Sequence, residues 1–353
     1  MKIGIIIGYL GIGGAERVAA NLANWFTADG DTVVFFCTKK PAEKEYIIAK
    51  SIVRHFCYAG SKLSIISNLR KSLKKERPDI VLVMGTPMCV YAIPALASLG
   101  IPTVVSERSA PQNAKIKKAT RKWSNFLINF AQAYVFQTTG AKSYFNKRIQ
   151  DKGYIIPNPL VVKELPSPYK GERTSSFVAM GRLVREKNYP LLISSFVKFH
   201  EKHPEYSLEI YGDGNQREML EGLINSANCE GYISLCHARN DVLEHVKDAA
   251  AFVLTSDLEG MPNALIEAMA IGLPCISTDC PSGGPADLIQ NGINGILIPV
   301  NNEKALVDAL SRIVEDKDNS DRMGKEAIKI RNDLDIDIIA RKWKEVFQTV
   351  LSD

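Results

Sequence analysis

No stretch of this 353-residue chain comes near the roughly 20 consecutive apolar residues that a membrane-spanning helix needs. The apolar start at residues 3–7 is too short for an export signal and runs straight into a glycine loop, so a cytosolic chain is expected. Paired cysteines are missing as well. Cys37, Cys57, Cys89, Cys229, Cys236, Cys275 and Cys280 are odd in number, none has C-x-x-C spacing, and most sit in or beside apolar runs. That predicts reduced core thiols, not a disulfide framework or a zinc site. The five histidines (His55, His200, His203, His237 and His245) show no metal-ligand spacing; His200 and His203 read as the surface of one helix. Acidic residues are scarce in the first half. Residues 1–160 hold 23 Lys and Arg against 9 Asp and Glu, while the remainder holds 21 against 30. The first half is therefore expected to meet a polyanion or an anionic membrane surface. Nucleic acid is not expected, because no recognition motif appears and aromatics are sparsely interleaved with the basic residues.

What is present is alternation. Apolar strand-like runs at 2–8, 31–37, 80–84, 103–106 and 134–136 alternate with helix-period runs at 15–26, 63–76 and 115–131. The pattern repeats with strands at 176–180, 207–211, 232–235, 250–255, 274–277 and 295–298, and a helix at 189–202. Short strands alternating with helices predict two doubly wound, Rossmann-like α/β domains. The boundary is expected near 158–175, where Pro157, Pro159, Pro166 and Pro168 break the periodicity. The division is thus 1–160 and 161–335, with a last helix over about 336–351 carrying Trp343 and Phe347.

The residues with chemical promise follow strands. Glu259 stands just after the apolar strand 250–254, and Glu267 stands eight positions on, within an apolar helix that starts near Pro262. Free N–H groups at a helix N-terminus attract anions. A nucleotide sugar offers a diphosphate for such amides and hydroxyls for such carboxylates. Arg182 and Lys187, five apart, follow strand 176–180 at the carboxyl end where α/β ligands bind. Arg grips phosphate bidentately and Lys supplies a compact charge. Gly13 and Gly14 fall between a strand and a helix, where glycine lets backbone approach a ligand; a tight turn with no ligand is the alternative. The spacing is not G-x-G-x-x-G, and Thr38-Lys39-Lys40 stands where an acidic ribose ligand would follow the second strand, so no dinucleotide fingerprint is read.

The run from Glu259 to Pro274 resembles the glutamate-pair motif of glycosyltransferase family 4 (group 1), retaining enzymes of the GT-B fold. Gly181-Arg182-Leu183-Val184-Arg185-Glu186-Lys187 looks like that family's phosphate-binding Arg and Lys. Gly11-Ile12-Gly13-Gly14 looks like its donor-facing glycine loop, and Ile156-Pro157-Asn158-Pro159 like its interdomain junction. The order and spacing agree over most of the chain.

The resemblance implies two Rossmann-like domains facing across a cleft, with the last helix, about 336–353, crossing back to the first. It implies that Glu259 aligns the transferred sugar and that Glu267 binds the ribose. Backbone amides around Gly260, Met261, Pro262, Asn263, Ala264 and Leu265 would meet sugar or phosphate. Ala238 and Arg239, in the loop after strand 232–235, are assigned to the nucleobase, with an ordinary connecting loop as the alternative. No metal or other cofactor is expected: Arg182, Lys187 and the helix dipole take the part of a cation, and Asp29-Gly30-Asp31, which imitates a D-x-D metal motif, reads as a turn. One position departs from much of the family. Where many relatives carry His, this chain has Ser106-Glu107-Arg108-Ser109, as in a subgroup of bacterial surface-polysaccharide enzymes. Arg108 would face the donor sugar or an acceptor phosphate, with Glu107 as its structural partner.

Two basic stretches suit a membrane surface, with a plain solvated face as the alternative. One runs over 61–77 with Lys62, Arg70, Lys71, Lys74, Lys75 and Arg77 beside Leu63, Ile65, Ile66, Leu69 and Leu73. The other holds Lys115, Lys117, Lys118, Arg121 and Lys122 with Ile116 and Trp123. The expected function is a retaining, metal-independent transfer of a hexose or N-acetylhexosamine from a UDP-sugar to a saccharide. A lipid-linked acceptor at the cytosolic membrane face is expected, as in polysaccharide or O-antigen assembly. Two alternatives stay open: a nucleotide-sugar epimerase of the same fold and a non-catalytic cytosolic sugar-nucleotide-binding protein.

Overall fold

The computed structural model describes residues 1–11, 13–111 and 118–352. Two compact units emerge: Met1–Val161 together with the segment from Leu334 onward, and Val162–Asp333.

In the first unit, β1 (Lys2–Ile7), β2 (Thr32–Cys37), β3 (Val53–Phe56), β4 (Ile80–Met84), β5 (Thr103–Glu107), β6 (Ala133–Phe136) and β7 (Gly153–Ile155) form one sheet in the order β3-β2-β1-β4-β5-β6-β7. Every pairing is parallel. All five residues of β4 are buried, as parallel strands covered on both faces require. The strand order reverses between β1 and β4, the kind of switch point beside which α/β ligands sit. Two strands carry almost no apolar signal. β3 reads Val-Arg-His-Phe and leaves its side chains partly or fully exposed, and β7 has three residues; both are edge strands and are invisible to a periodicity argument.

Helices α1 (Gly14–Ala28), α2 (Lys62–Glu76), α3 (Cys89–Leu96) and α4 (Lys118–Leu127) accompany the sheet. The Ser61 hydroxyl caps α2 by accepting the Ser64 amide at 3.1 Å. The helix stops where Arg77 takes a left-handed φ of 45° ahead of Pro78. Its apolar stripe faces the core: Ile65, Leu69 and Leu73 are buried and only Leu63 stands out, 79% exposed. The expected amphipathic membrane face on 61–77 is therefore reduced to its basic residues. Of the helix expected over 115–131, Lys115, Ile116 and Lys117 lie outside the described residues, and α4 is followed by a 3-10 turn, Ile128–Phe130.

Helix Ile336–Ser352 belongs to this unit. Trp343 and Phe347 are fully buried, and Phe347 packs on Phe26 of α1 at 5.7 Å. Leu160 ties in this returning segment, donating to the Leu334 carbonyl at 2.7 Å and accepting from the Ile336 amide at 2.8 Å. The Asp29-Gly30-Asp31 sequence is a turn with Gly30 at φ 90°. Asp31 pairs with the Met1 ammonium at 2.8 Å and with Lys344 at 2.9 Å.

In the second unit, β8 (Ser176–Met180), β9 (Ser207–Tyr211), β10 (Ile233–Cys236), β11 (Ala251–Leu254), β12 (Cys275–Asp279) and β13 (Ile296–Pro299) form a second parallel sheet in the order β10-β9-β8-β11-β12-β13. Helices Tyr189–His200, Arg217–Ser226, Asn263–Ala270 and Glu303–Glu315 accompany it. Its core is aromatic where Tyr189–His200 meets the sheet: Phe177 meets Phe199 edge-on at 5.4 Å. His200 and His203 are less solvated than expected. His200 lies flat on Tyr232 at 3.5 Å and His203 on Phe199 at 4.7 Å. Among the described residues, no helix is long and apolar enough to cross a membrane.

Candidate functional site

The carboxyl edge of the second sheet is where backbone meets backbone. β8 is followed by Gly181, whose φ of 156° lies at the border of the region that favours glycine. Neighbouring loops press on it so closely that side chains are excluded. A Cβ on Gly212 would stand 1.9 Å from the Gly181 carbonyl oxygen, and one on Gly214 would stand 2.3 Å from that of Leu183. The Leu183 amide donates to the Asp213 carbonyl at 2.9 Å. On the far side, a Cβ on Gly284 would stand 1.8 Å from the Gly260 carbonyl oxygen. The loops bearing Arg182 and Glu259 are thus fixed by contacts that tolerate only glycine.

Arg182, directly after Gly181, is exposed; its carbonyl accepts from the Val184 amide at 2.9 Å, and its guanidinium has no hydrogen-bond or ion partner among the described residues. Lys187 closes a short 3-10 turn, Arg185–Lys187, and Asn188 follows at a left-handed φ of 49°. Three bonds lock this turn to the end of β11. Thr255 Oγ1 donates to the Lys187 carbonyl at 3.0 Å, the Asp257 amide donates to the Glu186 carbonyl at 2.9 Å, and Asn188 Nδ2 donates to Asp257 Oδ1 at 2.8 Å. The result is that Lys187 Nζ meets Glu259 Oε1 at 2.6 Å, each side chain 15% exposed. Ser256 Oγ donates to the same carboxylate oxygen at 2.8 Å. Thr278 Oγ1 in turn holds the Ser256 carbonyl at 2.6 Å. Ser256, Thr255 and Thr278 were not singled out from sequence; their signal, hydroxyls at the ends of apolar strands, is too common to stand out.

Helix Asn263–Ala270 begins after Pro262, beside Glu259. Its first turn does not offer all the expected amides. Pro262 has no N–H, and the Leu265 amide already donates to the Pro262 carbonyl at 3.1 Å. Gly260, Met261, Asn263 and Ala264 complete the loop and the helix start. Glu267 is half-buried on the second turn, between the buried Ile266 and Ala268. In the loop after β10 the Ala238 amide is occupied, donating to Asp213 Oδ2 at 3.1 Å. Arg239 forks onto Asp241 at 2.7 and 3.0 Å. His237 hydrogen-bonds Asp213 Oδ1 at 2.7 Å, which holds the Asp213 carboxyl below its ordinary range.

In the first unit, Gly13 precedes α1 with an extended φ of −172°, a conformation open to any residue. A Cβ there would stand 2.3 Å from Glu16 Oε2, the tip of a flexible side chain able to turn aside, so neither backbone angle nor space demands glycine at this position. Gly14, exposed, opens α1. Arg108 follows β5 and is 8% exposed. It does not pair with Glu107 as expected. Its Nη1 donates to the Ile156 carbonyl at 2.9 Å and to Asn158 Oδ1 at 3.2 Å, and its guanidinium lies 5.2 Å from the Trp343 ring centroid. Glu107 instead accepts from the Ser109 amide and hydroxyl at 2.9 and 2.6 Å and from the Thr86 amide at 3.3 Å. Burial pushes the Arg108 pKa down to about 9, with the Glu107 charge opposing.

Comparison with known proteins adds a family. Residues 165–330 match the family described as glycosyl transferases group 1, and residues 12–163 match Glycosyltransferase Family 4. The chain is 27% identical to the lipopolysaccharide 1,6-galactosyltransferase of Salmonella typhimurium, covering 86% of this chain and 87% of the relative. It is 24% identical, over 99% of both chains, to a Campylobacter jejuni alpha-1,4-N-acetyl-D-galactosaminyltransferase whose name carries a PP-undecaprenol-linked saccharide. The fold matches the Anabaena HepE protein crystallised with UDP at a TM-score of 0.84, with 16% identity over 99% of this chain and 100% of that one.

Proposed function

Since the chain belongs to the group 1, family 4 glycosyltransferases of GT-B fold, we propose that it moves a hexose or N-acetylhexosamine from a UDP-sugar, with retention, to a lipid-linked saccharide in bacterial surface-polysaccharide assembly. The observation that carries this reading is Arg182, Lys187 and Glu259 brought to one edge of the second sheet, with the start of helix Asn263–Ala270 beside them. The lipopolysaccharide and undecaprenol-linked substrates in the relatives' names support the acceptor class.

In this reading the bond from the anomeric carbon to the diphosphate oxygen breaks, and a bond to the acceptor oxygen forms on the same face. The acceptor proton passes to the leaving phosphate, and UDP departs. Negative charge grows on that phosphate, so fixed cations at its position lower the barrier. Arg182 and Lys187 supply them without a metal, helped by the helix N-terminus. Glu259 aligns the sugar hydroxyls and Glu267 takes the ribose.

The acceptor's lipid calls for a surface to work on. On α4 and the turn after it, Trp123, Phe126 and Phe130 are 62, 57 and 59% exposed. They form an edge-to-face series at 6.3 and 5.7 Å. Lys118 and Lys122 are exposed on the same helix. Exposed aromatics beside lysines suit the headgroup region of an anionic membrane, which supports a peripheral protein at the cytosolic face.

The test is UDP release from a panel of UDP-sugars, with and without lipid extract, for the wild type and Glu259→Ala. Release that needs acceptor and disappears in the variant supports transfer and names the sugar. Conversion of the sugar without acceptor favours an epimerase. Binding without any conversion, for UDP-, GDP- and ADP-sugars alike, favours a non-catalytic binder.

A further inference from the structure

The turn that presents Lys187 has a second side. Lys187 reaches Glu259, while the next residue, Asn188, lines a hollow of about 270 Å³ on the second unit. None of Arg182, Lys187, Glu259 and Glu267 lines it. The hollow is therefore not the candidate site, although the turn Arg185–Lys187 contributes to both. The starts of helices Tyr189–His200 and Arg217–Ser226 and the segment ahead of helix Glu303–Glu315 border it.

Its polar groups are set in advance. Asn188 and Asn301 both hold left-handed backbone, at φ 49° and 55°, which asparagine adopts more readily than most residues. Asn188 Nδ2 uses both its protons, one on Asp257 Oδ1 and one on Asn301 Oδ1, each at 2.8 Å. The three side chains are thereby fixed against one another. Asp257 Oδ2 and Asn301 Nδ2 are left with no partner among the described residues. The Arg185 guanidinium and the Gln216 side-chain amide, which line the same hollow, have none among them either.

This lining selects a class of ligand. Arg185 and Asp257 balance in charge: an anion would meet the carboxylate, and a cation would meet the guanidinium. Arg185 and Asn301 Nδ2 donate, Asp257 Oδ2 accepts, and Gln216 does both. A ring of hydroxyls, each donor and acceptor at once, answers all four. Val184, Pro190 and Met219 supply apolar wall for the C–H face of such a ring. The volume lies just under the roughly 300–1,000 Å³ of common small-molecule sites, which suits a sugar ring better than a whole nucleotide sugar.

We propose that this hollow binds a saccharide unit through Arg185, Gln216, Asp257 and Asn301, and that the bound sugar stiffens the turn from which Lys187 reaches Glu259. The path is short. Thr255 Oγ1 donates to the Lys187 and Asn188 carbonyls at 3.0 and 3.2 Å, and the Asp257 amide donates to the Glu186 carbonyl at 2.9 Å. A ligand that bridges Arg185, Asp257 and Asn301 holds both ends of this lock. Ordering the turn beforehand lowers the entropy that donor binding gives up. The saccharide therefore raises the affinity for UDP, and UDP raises that for the saccharide by the same factor. The site rests on the hollow alone; the coupling rests on the reading that Lys187 meets the donor's phosphate.

The test is methionine methyl NMR on the full chain, with the Met219 signal assigned by its loss in Met219→Leu. D-Galactose, D-glucose and N-acetyl-D-galactosamine are titrated, with glycerol and inorganic phosphate as controls. A saturable shift of Met219 by at least one sugar and by neither control supports the site. Asn301→Gly keeps the left-handed backbone and removes one donor, so that sugar should bind about 3- to 10-fold more weakly. Saturating UDP should tighten the sugar about 5-fold or more, and calorimetry with UDP in the presence of the sugar should return the same factor. Met219 unmoved by every sugar, in a protein that binds UDP, overturns the proposal. So does a shift that glycerol or phosphate reproduces at equal concentration. A shift that Asn301→Gly leaves at full strength puts the sugar elsewhere and overturns it as well. Sugar binding that leaves UDP affinity unchanged removes the coupling and keeps the site. A Met219 shift in a protein that ignores UDP keeps the saccharide site and removes the donor reading instead.

Discussion

Lys187 and Glu259, 72 residues apart in sequence, neutralise each other across 2.6 Å, with the Ser256 hydroxyl on the same carboxylate oxygen. In the proposed reaction they have different partners: phosphate for the lysine, sugar hydroxyls for the glutamate. The pair is then a resting arrangement that donor binding exchanges. A free nucleoside diphosphate must draw Lys187 away from Glu259 and gains no sugar contact in return.

Glu259→Gln removes that competition. UDP should bind about 3- to 10-fold more tightly, as expected for losing one partly exposed ion pair. Turnover should fall by about 100-fold or more, because the group proposed to align the sugar is gone. Calorimetry with UDP beside a UDP-release assay checks both; weaker UDP binding contradicts the exchange.

Gly284→Ala places a methyl 1.8 Å from the Gly260 carbonyl, a backbone atom that cannot swing aside. The loop carrying Glu259 must shift. A displacement on the order of 1 Å costs about 100-fold in rate, so turnover should drop by that much and the melting temperature should fall. Wild-type kinetics in this variant would mean that the loop position is not limiting.

Trp123→Ser with Phe126→Ser removes two of the three exposed aromatics on α4 and the turn that follows it. Partition onto vesicles of anionic lipid should weaken by roughly 100-fold, given about 1.5–3 kcal/mol for each large apolar side chain buried. Melting temperature should hardly change. Co-sedimentation with vesicles, with neutral lipid as control, reads the effect.

Trp343→Ala should destabilise the protein by about 3–5 kcal/mol in denaturant titration. The indole is fully buried, and its loss also strips the ring from Arg108.

Acid should find Glu76. Lys2 first, then His55, hold its carboxyl below the ordinary range through contacts of 2.9 and 2.8 Å. A depressed folded-state pKa means stabilisation that is present above the unfolded value and lost as pH falls through the folded one. The drop in melting temperature from pH 7 to pH 3 should therefore be smaller in Glu76→Gln than in the wild type.

Much of the fold was legible in sequence because both sheets are parallel and covered on both faces. β4 and β9 emerge at the expected residues, 80–84 and 207–211. What escaped was marginal in the literal sense: β3 and β7 are edge strands whose side chains need not be apolar. The candidate site was legible only as residue types in order, Arg182, Lys187, Glu259 and Glu267. Its internal bonding was not, since no pattern announces that Lys187 meets Glu259, that Leu265 uses its amide locally, or that Arg108 reaches Ile156 and not Glu107. Contacts between residues far apart in sequence leave no periodicity.

All seven cysteines are free, and six of them are buried. Burial raises every thiol above its ordinary pKa, Cys37 to about 11 and Cys280 to about 12 among them. Since only the thiolate reacts, maleimide dyes at neutral pH should pass the native cysteines by. A single cysteine placed on an exposed loop of each unit would then serve as a clean attachment point for a fluorophore pair, with no need to engineer the seven away.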